Sequence, residues 1–328
     1  MFHVNLSRIP KSWKEENILA AEMIYEDCKL HNEIPVVMFS GGMDSNVVAE
    51  AFRESGVPHK IFIMRYGKGW NDYDIKYAIN WCDSNNIKYD IYEINPVKFW
   101  QSDEVLKIAQ ESRLNSPQMC FYLYVATQKI DGYPIIGFGE PDLSREGIDK
   151  NTNNAWVIYV QHYHSFKNYF KNRRGQGIFF HHTPEQQMSW FFEKETLKFV
   201  SRKKYTEYKP FNSYVDPVDG YTDDLQCHKN YFYKEFYPNL KFRIPIQNFH
   251  LYHGRARKDG EFMTDYTGFD RLSKEVFNIE HELRDYLIKE IEEYEEEWCL
   301  YDKYIYKSLS PNFNDYYGKI MREINYGL

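Results

Sequence analysis

Between residues 34 and 140, short apolar runs alternate with segments whose apolar positions recur at helical spacing. The run at 34–39 (IPVVMF) predicts a buried strand and residues 43–55 predict a helix. Residues 60–64 (KIFIM) predict a second strand, 73–84 a second helix, and Tyr89–Ile94 (YDIYEI) a third strand. Helices are expected over 97–112 and 117–129, and 133–138 (YPIIGF) closes the series with another strand. This alternation is what a parallel α/β sheet covered by helices requires. Upstream, residues 12–30 form an amphipathic helical pattern, with Ser12 as N-cap and Glu15 completing a capping box.

The pattern changes near residue 141. Polar stretches such as Asn151-Thr152-Asn153-Asn154 and aromatic segments follow, and Thr183-Pro184-Glu185 carries a helix-start signal. Residues 271–298 give the strongest helical pattern in the chain, with Leu272, Val276, Ile279, Leu283, Leu287 and Ile291 on one stripe. The expected organisation is therefore an α/β unit over 1–142 and a mostly helical, aromatic-rich region over 143–328. The second region would serve substrate binding or assembly.

Composition narrows the classes. The formal net charge is −7, which supplies no general attraction for nucleic acid, and basic groups such as Arg173-Arg174 and Arg202-Lys203-Lys204 are small. The chain holds 29 Tyr and 23 Phe, more than an ordinary core asks for. The five cysteines stand singly at Cys28, Cys82, Cys120, Cys227 and Cys299, so no CxxC zinc or dithiol site is legible. Isolated thiols suit a reducing compartment. No leader-like start and no long apolar run is seen, so a soluble cytoplasmic protein without a membrane role is expected. The histidine pairs (His162 and His164, His181 and His182, His250 and His253) lack the i,i+4 spacing or third ligand of a metal site.

The chemistry concentrates where the first strand ends. Ser40-Gly41-Gly42-Met43-Asp44-Ser45 joins an apolar strand to a helix start. Backbone N–H groups and the helix dipole converge there on any anion. Gly41 and Gly42 admit close backbone approach, Ser40 and Ser45 offer hydroxyls, and Asp44 can hold Mg²⁺ or order the turn. The same residues also suit a plain turn with no ligand. A Walker A loop is excluded, because no GxxxxGK[ST] pattern is present.

This wording, SGGMDS after an apolar strand, resembles the pyrophosphate loop of the PP-loop ATP pyrophosphatases. That superfamily includes asparagine synthetase-like, queuosine-precursor synthase-like and PAPS reductase-like enzymes. The resemblance covers roughly residues 34–142. It implies a HUP-like, Rossmann-type parallel sheet sandwiched by helices, with ATP and Mg²⁺ as cofactors and cleavage between the α and β phosphates. It carries over Ser40, Gly41, Gly42, Met43, Asp44 and Ser45 to the phosphates, and the strand end at Ile63 and Met64 to adenine. Arg65 would reach phosphate or substrate, or else form a surface ion pair. Gly137, Gly139 and Glu140 loosely fit the family's glycine and acidic residue after the last core strand, which makes Glu140 with Asp44 a candidate Mg²⁺ ligand. Lys98, Arg113 and Arg145 fall on loops at the strands' C-terminal edge and would neutralise departing pyrophosphate, or are ordinary exposed charges. Asp44, Ser45, Lys98 and Arg113 are the candidate catalytic residues.

Departures from particular branches matter. Phe2 follows Met1 where glutamine-using asparagine synthetases carry a cysteine. Cys299 lies in Trp298-Cys299-Leu300 rather than the reductases' glutamate-cysteine-glycine context, and the clustered cysteines of other branches are missing. The aromatic-rich tail is similar to PP-loop proteins of large phage genomes. The resemblance thus implies an AMP-forming ligase or transferase that adenylates a carbonyl or carboxylate, followed by attack of an amine, ammonia or sulfur donor. The partner expected is a small-molecule substrate or a nucleobase ahead of tRNA, and a homo-oligomer stays open. The alternatives are a sulfurtransferase using Cys120, and a non-catalytic nucleotide-binding protein.

Overall fold

Helix α1 (Trp13–Lys29) begins where its capping box places it. The Ser12 hydroxyl accepts the Glu15 N–H at 3.3 Å, and the Glu15 carboxylate accepts the Ser12 N–H at 3.1 Å. In the computed structural model the described residues are 6–112, 114, 117–138, 142–144, 157–159, 163–193, 236, 237, 239 and 240. The helix expected over 271–298 lies outside them.

The elements then follow as β1 (Pro35–Met38), α2 (Met43–Ser55), β2 (Lys60–Tyr66), α3 (Asp72–Ser84) and β3 (Tyr89–Ile94). Next come α4 (Pro96–Trp100), α5 (Asp103–Ser112), α6 (Pro117–Gln128) and β4 (Tyr133–Ile136). A small antiparallel pair, β5 (Asp142–Ser144) and β6 (Val157–Tyr159), precedes α7 (Tyr163–Phe170) and α8 (Pro184–Phe192).

The main sheet has four strands in the order β3-β2-β1-β4, all parallel. In register, Val37 lies beside Ile61 on one side and Ile135 on the other. The chain leaves β1 toward β2 and β3, then returns across the sheet to place β4 on the opposite flank of β1. The direction of strand addition therefore reverses between β1 and β4, the position where open α/β sheets bind ligands.

Alternation along the strands builds two cores. Val37, Phe39, Ile61, Ile63 and Ile135 face a cluster formed with α1, α2, α3 and α8. Val36, Met38, Phe62, Tyr66 and Ile136 face a second cluster with α4, α5, α6 and α7. Burial on both faces is why β1 reads as an unbroken apolar run. Residues beyond 142 share these cores, since Phe166, Tyr169 and Phe170 join the second cluster and Phe179, Phe180, Trp190 and Tyr237 the first. In the first cluster these rings meet at Trp13, with ring centroids 4.6 Å from Trp190 and 5.4 Å from Phe180. Each such buried ring contributes about 1.5–3 kcal/mol. A buried polar chain runs through the same layer: Gln186 donates to Asn17, and Asn17 donates to the Tyr237 hydroxyl at 3.0 Å. Its groups are hydrogen-bonded, as burial demands.

Three features differ from expectation. The single helix expected over 97–112 is two, because the chain turns at Gln101 and Ser102. There the Ser102 hydroxyl donates to the Phe99 carbonyl at 2.6 Å, and the turn lets Phe99, Trp100, Val105 and Ile108 bury in one cluster. Strand β2 runs two residues further, to Tyr66, and β4 stops at Ile136. Finally, Gln176 bridges to β4 in parallel, with Ile136 N–H donating to its carbonyl at 2.9 Å and its own N–H donating to Pro134 at 2.8 Å. The sheet is thereby extended past β4 by a single residue.

Candidate functional site

The segment from Ser40 to Ser45 leaves the C-terminal end of β1 and becomes the first turn of α2. Gly41 has φ of 81°, a left-handed conformation, and its backbone is pressed against α3. A Cβ there would lie 2.5 Å from the Asp74 carbonyl oxygen and 3.0 Å from the Ala78 nitrogen, so only glycine fits. Gly42 is the N-cap and has no side chain with which to cap, and the first helical bond runs from Asn46 N–H to its carbonyl at 3.0 Å. The leading N–H groups of α2 therefore meet the positive end of the helix dipole with no side-chain cap over them.

The two serines shape the loop from inside. Gly42 N–H donates to the Ser40 hydroxyl and Ser40 N–H to the Ser45 hydroxyl, each at 3.3 Å. Ser45 Oγ donates to the Gly42 carbonyl at 3.1 Å, which assigns the proton of the 3.0 Å contact between the hydroxyls to Ser40. Both hydroxyl protons are thus engaged within the loop.

Across the switch point, Gly137 follows β4 and lies against the same turn. A Cβ at Gly137 would come within 3.0 Å of the Ser45 Cα and 3.2 Å of its nitrogen. The structure therefore brings together the 40–45 loop and Gly137, which are far apart in sequence. Gly139, Glu140, Arg113 and Arg145 lie outside the described residues.

The end of β2 is held by a residue that sequence reasoning did not single out. The Asn71 side chain accepts the Tyr66 N–H at 2.6 Å and donates to the Met64 carbonyl at 2.8 Å. Its only sequence signal is an asparagine before the acidic start of a helix. Ile63 is fully buried in the first cluster, and Met64 packs from the opposite face. Arg65 forms the surface ion pair, with two bonds of 2.8 Å to Asp72 that raise the arginine's pKa and lower the carboxylate's. Both partners are exposed, so this pair adds little stability. Lys98 is exposed on α4, just past the end of β3, where Asn95 caps the helix.

Cys120 is fully buried, its thiol directed at the Leu114 carbonyl 3.8 Å away, and burial pushes it up to about 12. A thiol held neutral in this way is a poor nucleophile. Burial likewise lowers the His59 and His182 pKa values below the ordinary 6.5. Among the described residues, no three His, Cys, Asp or Glu side chains gather as a metal-holding group. No described helix is long and apolar enough to cross a membrane.

An open parallel α/β sheet with a glycine loop and an uncapped helix start at its switch point is the class that fold and site define. No family model and no curated protein matches the chain. Solved structures with a similar core include NMN synthetase from Francisella tularensis, at 22% identity and TM-score 0.27 over 38% of this chain and 54% of that one. The NH3-dependent NAD synthetase from Campylobacter jejuni is 19% identical, with TM-score 0.28, over 40% of this chain and 58% of its own. The U34-tRNA thiolase NcsA from Methanococcus maripaludis, solved with a 4Fe-4S cluster, is 21% identical, with TM-score 0.27, over 39% and 46%. The chain spans about half the length of these structures.

Proposed function

We propose that the protein binds ATP with its terminal phosphates in the 40–45 loop and is an AMP-forming ligase or transferase. The observation that supports this most is the pre-shaped loop itself. Gly41 is locked left-handed on α3, the α2 start has no side-chain cap, and Gly137 closes the opposite side. In the proposed reaction a substrate carboxylate or carbonyl oxygen attacks the α phosphorus, and the bond to the bridging oxygen of the β phosphate breaks. Pyrophosphate leaves with that electron pair. An amine, ammonia or sulfur donor then attacks the activated carbon, and AMP departs.

The chain's own contribution is positioning and charge stabilisation. The N–H groups of Met43, Asp44 and Ser45 would hold the departing pyrophosphate, and the backbone at Ile63 and Met64 would meet adenine. Exposed Lys98 is available to offset the charge released, with Arg113 in the same proposed role. Asp44 sits in the first turn of α2, where an anionic carboxylate beside phosphate is repulsive unless a cation joins them. That donor set suits Mg²⁺, which takes one or two carboxylates together with phosphate oxygens and neutralises their charge when bound. Glu140 and Gly139 keep their proposed roles from the sequence. The substrate is proposed to be a small molecule.

The sulfurtransferase reading needs a reactive Cys120, and its complete burial removes that support. The test of the main reading is product analysis with α-labelled ATP and candidate carboxylate and amine substrates. AMP and pyrophosphate are the expected products. ADP and phosphate as the only products would sink the proposal.

A further inference from the structure

The Asn71 side chain spends both of its polar atoms on the end of β2, accepting from Tyr66 and donating to Met64. It does this at a position that usually serves the helix instead. Asn71 is the N-cap of α3, yet its side chain makes no cap bond. An N-cap asparagine ordinarily stabilises its helix through that bond. Here only the Asn71 backbone serves the helix, its carbonyl accepting the Asp74 N–H at 3.0 Å and the Ile75 N–H at 3.1 Å. The residue is 7% exposed, so neither function is diluted by water. One residue therefore fixes where β2 ends and where α3 starts.

The other end of this connection is the phosphate loop. Gly41 rests on α3 at the helical bond between the Asp74 carbonyl and the Ala78 N–H, the same two atoms that a Cβ at Gly41 would strike at 2.5 and 3.0 Å. At a rise of about 1.5 Å per residue, that seat lies within two turns of Asn71 along one helix. Close-packed interiors transmit such displacements instead of absorbing them. A shift of α3 would arrive at Gly41 as a shift of the loop.

We infer that Asn71 is a positioning residue, which sets the 40–45 loop through α3 and ties its geometry to the end of β2. The inference rests on the reading of that loop as a pyrophosphate site. It makes phosphate affinity depend on a side chain that touches no phosphate. It also links the strand end proposed for adenine to the loop proposed for pyrophosphate.

The test is isothermal titration of the full chain with inorganic pyrophosphate and Mg²⁺, well below the unfolding midpoint. Pyrophosphate carries no base, so it cannot report a direct contact with the end of β2. Asn71→Ala is expected to weaken pyrophosphate binding about tenfold, the effect of about 1.4 kcal/mol. Asn71→Asp keeps an acceptor for Tyr66 and loses the donor to Met64. It is expected to lose about threefold by the same conversion, and it supplies the readout if the alanine variant does not fold. Thr183→Ala removes the α8 cap, where the hydroxyl accepts the Gln186 N–H at 3.0 Å, and serves as a remote destabilised control with unchanged affinity expected. Wild-type affinity in the Asn71 variants, or an equal loss in Thr183→Ala, overturns the inference while leaving the site reading intact. Failure of the wild type to bind pyrophosphate overturns both.

Discussion

Gly137 and Ser45 are in backbone contact: a Cβ on Gly137 would stand 3.0 Å from the Ser45 Cα and 3.2 Å from its nitrogen. The same Cβ would meet Val48 Cγ2 at 3.0 Å, so the neighbours on both sides are packed. The end of β4 thus forms one wall of the turn whose N–H groups face the proposed phosphates. Gly137→Ala forces that turn outward, and overpacking of this kind typically costs about 1–3 kcal/mol. The expected result is a lower melting temperature and ATP affinity reduced about tenfold, the equivalent of about 1.4 kcal/mol, measured by scanning and titration calorimetry. Affinity equal to wild type would show that this wall does not shape the site.

Gly41→Ala meets two penalties at once. Its φ of 81° is costly for any residue with a Cβ, by about 1–2 kcal/mol. The new methyl would also strike the Asp74 carbonyl at 2.5 Å, backbone that cannot rotate aside. The loop must then leave α3, and ATP binding is expected to fall below detection in titrations up to millimolar nucleotide. Circular dichroism should still show the helices of the wild type. Retained ATP binding would contradict the loop's assigned role.

Local signals in the sequence carry the elements they control. The capping box of Ser12 and Glu15, the Thr183-Pro184 start of α8 and the strand-to-helix passage at 40–45 are each settled by a few adjacent residues. What the sequence hides is made by topology. Gly137 is visible as a glycine after a strand, but its contact with Ser45 exists only because β4 returns beside β1. Asn71 precedes α3 as its N-cap, but only the fold shows that its side chain serves β2, which runs to Tyr66. The bend at Ser102 and the bridge at Gln176 are likewise settled by packing, through one or two local bonds that leave no periodic trace. Phe166, Phe179 and Trp190 sit in segments too short for a clear repeat, yet they complete both cores.

Cys120 gives a prediction of no effect. Its thiol is raised to about 12 by burial, so it stays protonated and out of reach of solvent at neutral pH. Cys120→Ser should leave ATP turnover within about twofold of wild type, a change under half a kcal/mol. Stability should fall instead, because the buried hydroxyl replaces a thiol that behaves as a small apolar group. Thiol titration of the native wild-type chain should find Cys120 unreactive until denaturant is added. Abolished turnover with an intact fold would restore the sulfur-transfer reading.

Acid should weaken the fold through two half-buried histidines. Burial lowers the pKa of His59 and of His182 below the ordinary 6.5, and the unfolded chain returns both to that value. Between the folded and unfolded pKa values the unfolded state binds more protons, so stability rises with pH in that window. The contribution is fully present above about 6.5 and is lost as the pH falls below it toward the folded values. In His59 the Nδ1 already meets the Val57 carbonyl at 2.8 Å, which partly opposes the burial effect. Urea titrations from pH 7.5 down to 5.5 should show falling stability, within the range where histidine charge changes. A His182→Gln variant, which cannot charge, should have a shallower slope. An identical slope in the variant would remove His182 from the acid response.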